Sequence, residues 1–233
     1  IIAGPDGTIA KMVEYKDASD AERSVDLCNS GLMAVRSTDL FVLLDSIGND
    51  NAAGEYYLPD IVMLPGHASA ETEGEDPAEV AGVNSRAELA GLEGVWQQRR
   101  RAEAMADGVS LIAPETVWFA WDTQLGRDVL VEPNVVFGPG VTVADGVKIR
   151  AFCHIEGATL ATQCAVGPYA RLRPGAVMEE GAKIGNFVEM KKARMGKGAK
   201  ASHLTYLGDA DVGAGANIGA GTITCNYDGY SKY

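Results

Sequence analysis

The sequence predicts a partial α/β domain followed by a parallel β-helix of hexapeptide repeats. Three observations predict it. Aliphatic residues recur every sixth position through the second half; strand-rich and helix-rich segments alternate in the first; and charge divides between the halves. Residues 1–128 carry 9 basic and 23 acidic side chains, net −14, whereas residues 129–233 carry 11 and 9, net +2, within a 233-residue chain of net charge −12.

In chain order, Ile9 to Tyr15 and Gly31 to Val35 are rich in β-formers. Thr38-Asp39 is placed to cap a helix through Leu40 to Leu44, and Leu58 to Leu64 is a second apolar helical segment after Gly54. His67 to Val80 is acidic and poor in aliphatics, the composition of a surface loop. Ser85-Arg86-Ala87-Glu88 is a capping box, opening a helix whose apolar stripe is Leu89, Leu92, Val95 and Trp96 and which ends near Gly108. The expected boundaries are residues 1–84 for the first domain, 85–108 for a connecting helix and 109–233 for the β-helix.

The β-helix expectation rests on phase. Val131, Phe137, Val143, Ile149 and Ile155 are six apart, and after a one-residue slip so are Leu160, Val166, Leu172, Met178, Ile184 and Met190; further slips bring Ala201 and Leu207, then Val212 and Ile218. Six matches neither the 3.6-residue helical period nor the two-residue strand period, but it suits short strands joined by regular turns. Each hexad is expected to send one anchor inward, with the small residue after it, as in Ile184-Gly185, permitting a tight corner. Three hexads make a coil of about 18 residues, and five or six such coils stack their anchors into one apolar column.

Overall acidity argues against nucleic acid as a partner. No apolar run approaches the ~20 residues that cross a bilayer, and no secretory leader pattern opens the chain, so no membrane partner is expected. Cys28, Cys153, Cys164 and Cys225 show no metal-ligand spacing and read as buried free thiols of a cytoplasmic protein. The chain opens on Ile1 without Met and ends at Tyr233 in a polar turn, which reads as a piece of a longer protein.

Chemistry concentrates in the second half. The stretch from Arg171 to Lys200 has eight basic residues against Glu179, Glu180 and Glu189. Arg173 and Lys191 stand one coil apart, each directly after an anchor, and should stack as a cationic pair suited to a phosphate. His203, where the hexad phase is disturbed, is the candidate general base, with Tyr206 and Asn217 able to orient a polar ligand. For His67 and His154 surface and structural roles suffice. The glycine-rich run Gly213 to Thr222 keeps hexad phase and reads as corners rather than a phosphate loop.

The runs Gly185-Asn186-Phe187-Val188-Glu189-Met190-Lys191-Lys192-Ala193-Arg194, His203-Leu204-Thr205-Tyr206-Leu207-Gly208-Asp209 and Asn217 through Gly229, with Val13 to Ala18, Asn29-Ser30-Gly31, Gly54 to Asp60 and Gly82 to Arg86, resemble the bacterial bifunctional N-acetylglucosamine-1-phosphate uridyltransferase/glucosamine-1-phosphate N-acetyltransferase family. The resemblance implies a nucleotidyltransferase-like (Rossmann-like) first domain and a left-handed β-helix. It implies acetyl transfer from acetyl-CoA to glucosamine-1-phosphate, then uridylyl transfer from UTP, with Mg2+, yielding UDP-N-acetylglucosamine for peptidoglycan and lipid A. By resemblance His203 would be the base; Arg173, Lys191, Tyr206, Asn217 and Lys232 would bind the amino-sugar phosphate; and Ala220, Asn226 and Tyr227 would contact acetyl-CoA. Glu14, Asn29 and Asn84 would contact UDP-N-acetylglucosamine, Asn84 also holding the metal, although the residues alone read Asn84 as a neighbour of the helix cap. The acetyltransferase pocket would lie between subunits of a homotrimer. Against the family pattern the chain lacks the glycine-rich nucleotide loop and the aspartate sharing the metal, so it is not expected to catalyse uridylyl transfer, and it stops before the last coils and C-terminal arm that would complete the CoA site.

Overall fold

Six-residue spacing becomes flat faces of stacked two- and three-residue strands in the computed structural model, which describes residues 1–4, 7–66, 69–74 and 76–231. The chain divides into two compact units, Ile1–Leu89 and Ala90–Tyr233.

The second unit is a parallel β-solenoid of the left-handed hexapeptide type. One face is a six-stranded parallel sheet formed by Gln124–Leu125, Thr142–Val143, Ala158–Leu160, Ala176–Met178, Arg194–Met195 and Asp211–Val212. Successive coils advance by 18 or 17 residues. Lys148 pairs with Leu130, eighteen back, and with Ala165, seventeen on, which is the slip seen in the sequence phase. The other two faces merge into a ten-stranded sheet because Lys183–Lys191 and Lys200–Gly208 run unbroken round a corner.

Every anchor from Val131 to Val212 is buried, but nearly every hexad supplies a second buried residue two positions earlier, where one inward residue was expected. Val129, Val135, Val141 and Val147 take that place in the early coils, then Cys153, Cys164, Ala170, Ala176, Ala182 and Ala199. A two-residue spacing on a pleated strand points both side chains to one side, so the pair fills the column from each face. Small residues at the second position leave room for Leu and Met at the first.

The same alternation places two thiols. Cys153 and Cys164 are buried, and burial pushes each up to about 11; Cys28 and Cys225 are exposed, contrary to the expectation of four buried thiols. At about pH 8 iodoacetamide should therefore label Cys28 and Cys225 and spare Cys153 and Cys164 until denaturant is added, because the thiolate is the nucleophile. Peptide mass mapping checks this. The sign for stability follows: the neutral buried thiols contribute fully below the unfolded thiol range and lose that contribution as pH rises towards about 11.

Tight corners follow the expectation only in part. Of the glycines after anchors, Gly167 has φ 88, whereas Gly138, Gly185, Gly208 and Gly219 do not have positive φ. One corner is instead turned by Phe152, Tyr169 and Phe187, at φ 60, 56 and 56, and on the next coil by Leu204 at φ 47. The three rings stack with centroids 4.8 and 5.3 Å apart, a contact that offsets the cost of left-handed backbone.

The helix Arg86–Ala106 opens on the expected box: Glu88 N–H donates to Ser85 Oγ at 3.2 Å, and Glu88 Oε2 accepts from Ser85 N–H at 3.0 Å. Its packed side differs from the expected stripe. Leu89 is exposed, whereas Gln97 and Ala104 are buried and Trp96 packs on the solenoid core. Gln97 Nε2 donates to Phe119 O at 2.7 Å, and Phe119 N–H donates to Gln97 Oε1 at 3.0 Å. Arg100 and Arg101 donate to the carbonyls of Thr123 and Val117, both at 2.8 Å. The helix thus satisfies backbone groups of the first coil that a further coil would otherwise pair.

The first unit holds strands and short helices consistent with a partial α/β domain. Ile2–Ala3 and Ile9–Lys11 pair antiparallel, Ser37–Leu44 is α-helical and Leu58–Met63 is a 3₁₀ helix. Gly31 to Val35 forms no strand, and the Ser37–Leu44 helix starts one residue before the expected cap, on Arg36, whose side chain has no acceptor to offer; Thr38 lies within the helix and its Oγ1 donates to Asp39 Oδ1. A short helix, Asp20–Arg23, escaped the sequence reading despite its Ser19/Glu22 capping box.

Candidate functional site

The disturbed hexads form the corner where two nine-residue strands pair. Lys183–Lys191 lies in register with Lys200–Gly208, matching Asn186 with His203, Glu189 with Tyr206 and Lys191 with Gly208. His203 is exposed, and its Nδ1 lies 2.6 Å from Asn186 Oδ1. On the following coil Gly221 N–H donates to Leu204 O at 3.0 Å, which brings Ala220 level with His203. The imidazole therefore has an amide below it and a small exposed residue above it.

The cationic pair stacks as expected. Leu172 pairs with Met190, and Arg173 N–H donates to Met190 O at 2.8 Å, so Arg173 and Lys191 occupy consecutive rungs. Arg173 Nη1 also binds Glu189 Oε1 at 3.0 Å, both side chains being about one-third exposed (37% and 36%). That carboxylate holds the guanidinium in place and leaves its other donors for an anion. Elsewhere the basic stretch is less cationic than its composition: Arg194 binds Glu179 and Asp211, and Lys197 binds Glu180. The pairing with carboxylates holds the Arg194 guanidinium above its ordinary pKa.

Gly208 draws two further candidates together. A Cβ there would meet the Tyr206 ring carbon bearing the hydroxyl at 2.6 Å and Asn226 Nδ2 at 2.7 Å, so both polar groups lie over bare backbone. Asn226 also donates to Asp209, and Asp209 N–H donates to Lys191 O at 3.0 Å, which links the amide to the cationic rung. Tyr227 donates to Gly229 O at 2.7 Å. Asn217 does not join this group; it is exposed and in register with Lys200, three residues before His203. Lys232 lies outside the described residues.

The first-unit candidates separate. Glu14 lines a cleft of about 300 Å³ with Asp17, Asp50, Tyr57 and Asp60. Asn29 lines a larger one of about 1500 Å³ with Cys28, Leu32, Arg36, Glu71 and Pro77. Asn84 lines neither; its N–H donates to Glu88 Oε2 at 2.6 Å, the cap-neighbour role read from the residues alone. Mg2+ requires near-octahedral oxygen ligation, commonly with carboxylates. No cluster of three or more His, Cys, Asp or Glu able to hold a metal occurs among the described residues, and one exposed Asn amide does not make such a site.

Two residues were missed by sequence reasoning. Asn186 stands 17 before His203 and Glu189 stands 16 after Arg173; the coil length was the available signal for both.

Residues 122–157 match the model of the bacterial transferase hexapeptide (six repeats). The bifunctional protein GlmU of Novosphingobium aromaticivorans is 70% identical over 100% of this chain and 52% of its own length. The chain matches half of a bifunctional GlmU protein. The GlmU of Sphingopyxis alaskensis is 69% identical over 97% of this chain and 50% of its own, and that of Zymomonas mobilis 60% over 100% and 52%. The chain thus spans about half the length of the curated GlmU relatives it matches. The solved structure of PerB from Caulobacter crescentus in complex with CoA and GDP-perosamine is 18% identical with a TM-score of 0.25, covering 56% of this chain and 60% of that chain, and at that score bears on neither fold nor site.

Proposed function

We propose that the solenoid transfers acetyl from acetyl-CoA to the amine of glucosamine-1-phosphate, and that it belongs to a longer bifunctional enzyme of UDP-N-acetylglucosamine synthesis. The observation that carries this reading is one strand pair bearing an exposed imidazole, His203, and Lys191, with Arg173 stacked on Lys191 from the adjoining coil. His203 stands five residues before Gly208, which is level with Lys191, so at most about 16 Å of strand separates base from clamp. In the reaction the amine lone pair forms the C–N bond, the amine proton passes to His203, and the C–S bond breaks to release CoA as thiolate. Arg173 and Lys191 bind the phosphate; Tyr206 and Asn217 orient the sugar, with Lys232 beside it. Ala220, Asn226 and Tyr227 face the acetyl donor.

The reading extends to the longer protein as uridylyl transfer from UTP, with Glu14, Asn29 and Asn84 on the nucleotide-sugar side. No step here is routed through Mg2+, which the described residues do not fit. The same reading has the protein as a cytoplasmic homotrimer with small-molecule partners; among the described residues no helix is long and apolar enough to cross a membrane.

The test is CoA release on mixing acetyl-CoA with glucosamine-1-phosphate, compared with glucosamine lacking the phosphate. Phosphate-dependent release supports the reading, and release indifferent to phosphate overturns it. Lys191→Ala should raise the KM for glucosamine-1-phosphate by about tenfold, the scale of one charge-assisted hydrogen bond, with the melting temperature unchanged. An unchanged KM removes Lys191 from the clamp.

A further inference from the structure

Asn186 occupies the rung beneath His203, and its carboxamide oxygen lies 2.6 Å from the imidazole Nδ1. A carbonyl oxygen only accepts, so this contact requires a proton on Nδ1. Solvated neutral imidazole prefers its proton on Nε2, so an exposed histidine left to water would mainly present the wrong nitrogen as its lone pair. We propose that Asn186 is a positioning residue that fixes His203 as the Nδ1–H tautomer, leaving Nε2 to take the substrate proton.

Three features make Asn186 suited to this. It is set by strand register, since Asn186 and His203 are matched between the pairs Ile184/Ala201 and Val188/Thr205 of the same two strands. It is partly buried while His203 is exposed, so the amide is the more confined of the two. It is uncharged, so it orients the ring without the strong preference for imidazolium that a carboxylate would impose. Gly185, immediately before Asn186, allows the two strands to approach closely at this rung.

The proposal deepens the acetyltransfer reading, but its test separates the two. Nitrogen-15 NMR of the histidine-labelled chain at about pH 8, where a free imidazole is neutral, reports which ring nitrogen bears the proton. With three histidines in the chain, a His203→Gln spectrum assigns the signal. The expected result is Nδ1–H in the wild type, loss of that tautomer in Asn186→Leu, and its retention in Asn186→Asp, which keeps an acceptor. An Nε2–H signal in the wild type, or Nδ1–H surviving in Asn186→Leu, overturns the proposal. In the complete reading frame, Asn186→Leu should lower kcat about tenfold or more, as removal of an orienting partner does elsewhere, with KM values changed less than about twofold. Failure to release CoA in a wild type that shows Nδ1–H sinks the acetyltransfer reading and leaves the tautomer assignment standing.

Discussion

His203→Ala should lower kcat for CoA release by about 10² to 10⁴, the usual contribution of one general base, while leaving KM for both substrates and the melting temperature close to wild type. The structural part of this expectation follows from exposure. His203 points outward from a strand whose inward residues are Ala201, Thr205 and Leu207, so removing the imidazole opens no cavity in the core. The chemical part follows from the amine: only its neutral form attacks, and the attack raises nitrogen acidity, so a base is needed as the bond forms. Steady-state CoA release with glucosamine-1-phosphate measures it. Equal rates in wild type and variant remove His203 from proton transfer. A raised KM with kcat unchanged makes it a binding group instead.

The parts of this arrangement that could be read in sequence were those set by periodicity. Anchors six apart gave the solenoid, and Arg173 to Lys191 at 18 gave a stacked pair, because register in a parallel coil is little more than counting. Past the valines of the early coils, the second inward layer escaped because the alanines and cysteines that mostly form it carry little hydrophobic signal, although they are buried in the column. Asn186 and Glu189 escaped for a different reason. Each acts through a partner one coil away, and the coil here is 17 residues rather than 18, so a fixed repeat misses Asn186 by one position. In the first unit, propensity misled at Gly31 to Val35, where β-formers found no strand to pair with, and pattern alone gave no sign that Glu14 and Asn29 would line separate clefts. Strand formation depends on a neighbour, which local propensity does not contain.

Gly185→Ala should be the most damaging single-methyl addition at this corner, lowering stability by about 3 kcal/mol or more and kcat along with it. Gly185 does not have positive φ, so its backbone would accept alanine; the obstacle is space. A Cβ there would sit 2.7 Å from the Ser202 carbonyl carbon and 3.1 Å from Ser202 Cα, and would overlap the carbonyl oxygen outright. These are backbone atoms, which no rotamer change can clear, so one strand must move away from the other. The move falls between two paired rungs, Ile184 with Ala201 and Asn186 with His203. The first rung carries core burial and the second carries the imidazole contact, so one displacement should weaken packing and release His203 together. Gly181→Ala and Gly198→Ala are useful contrasts. A Cβ at either meets nothing within 4 Å, and both have φ +68, so they cost only the backbone strain of a left-handed residue, about 1–2 kcal/mol, without moving the rung. Urea unfolding of the three variants, read beside the His203 nitrogen-15 spectrum, separates the cases: loss of stability in all three, loss of the Nδ1–H signal only in Gly185→Ala. If Gly185→Ala retains both stability and signal, close strand approach is not what holds the imidazole in place.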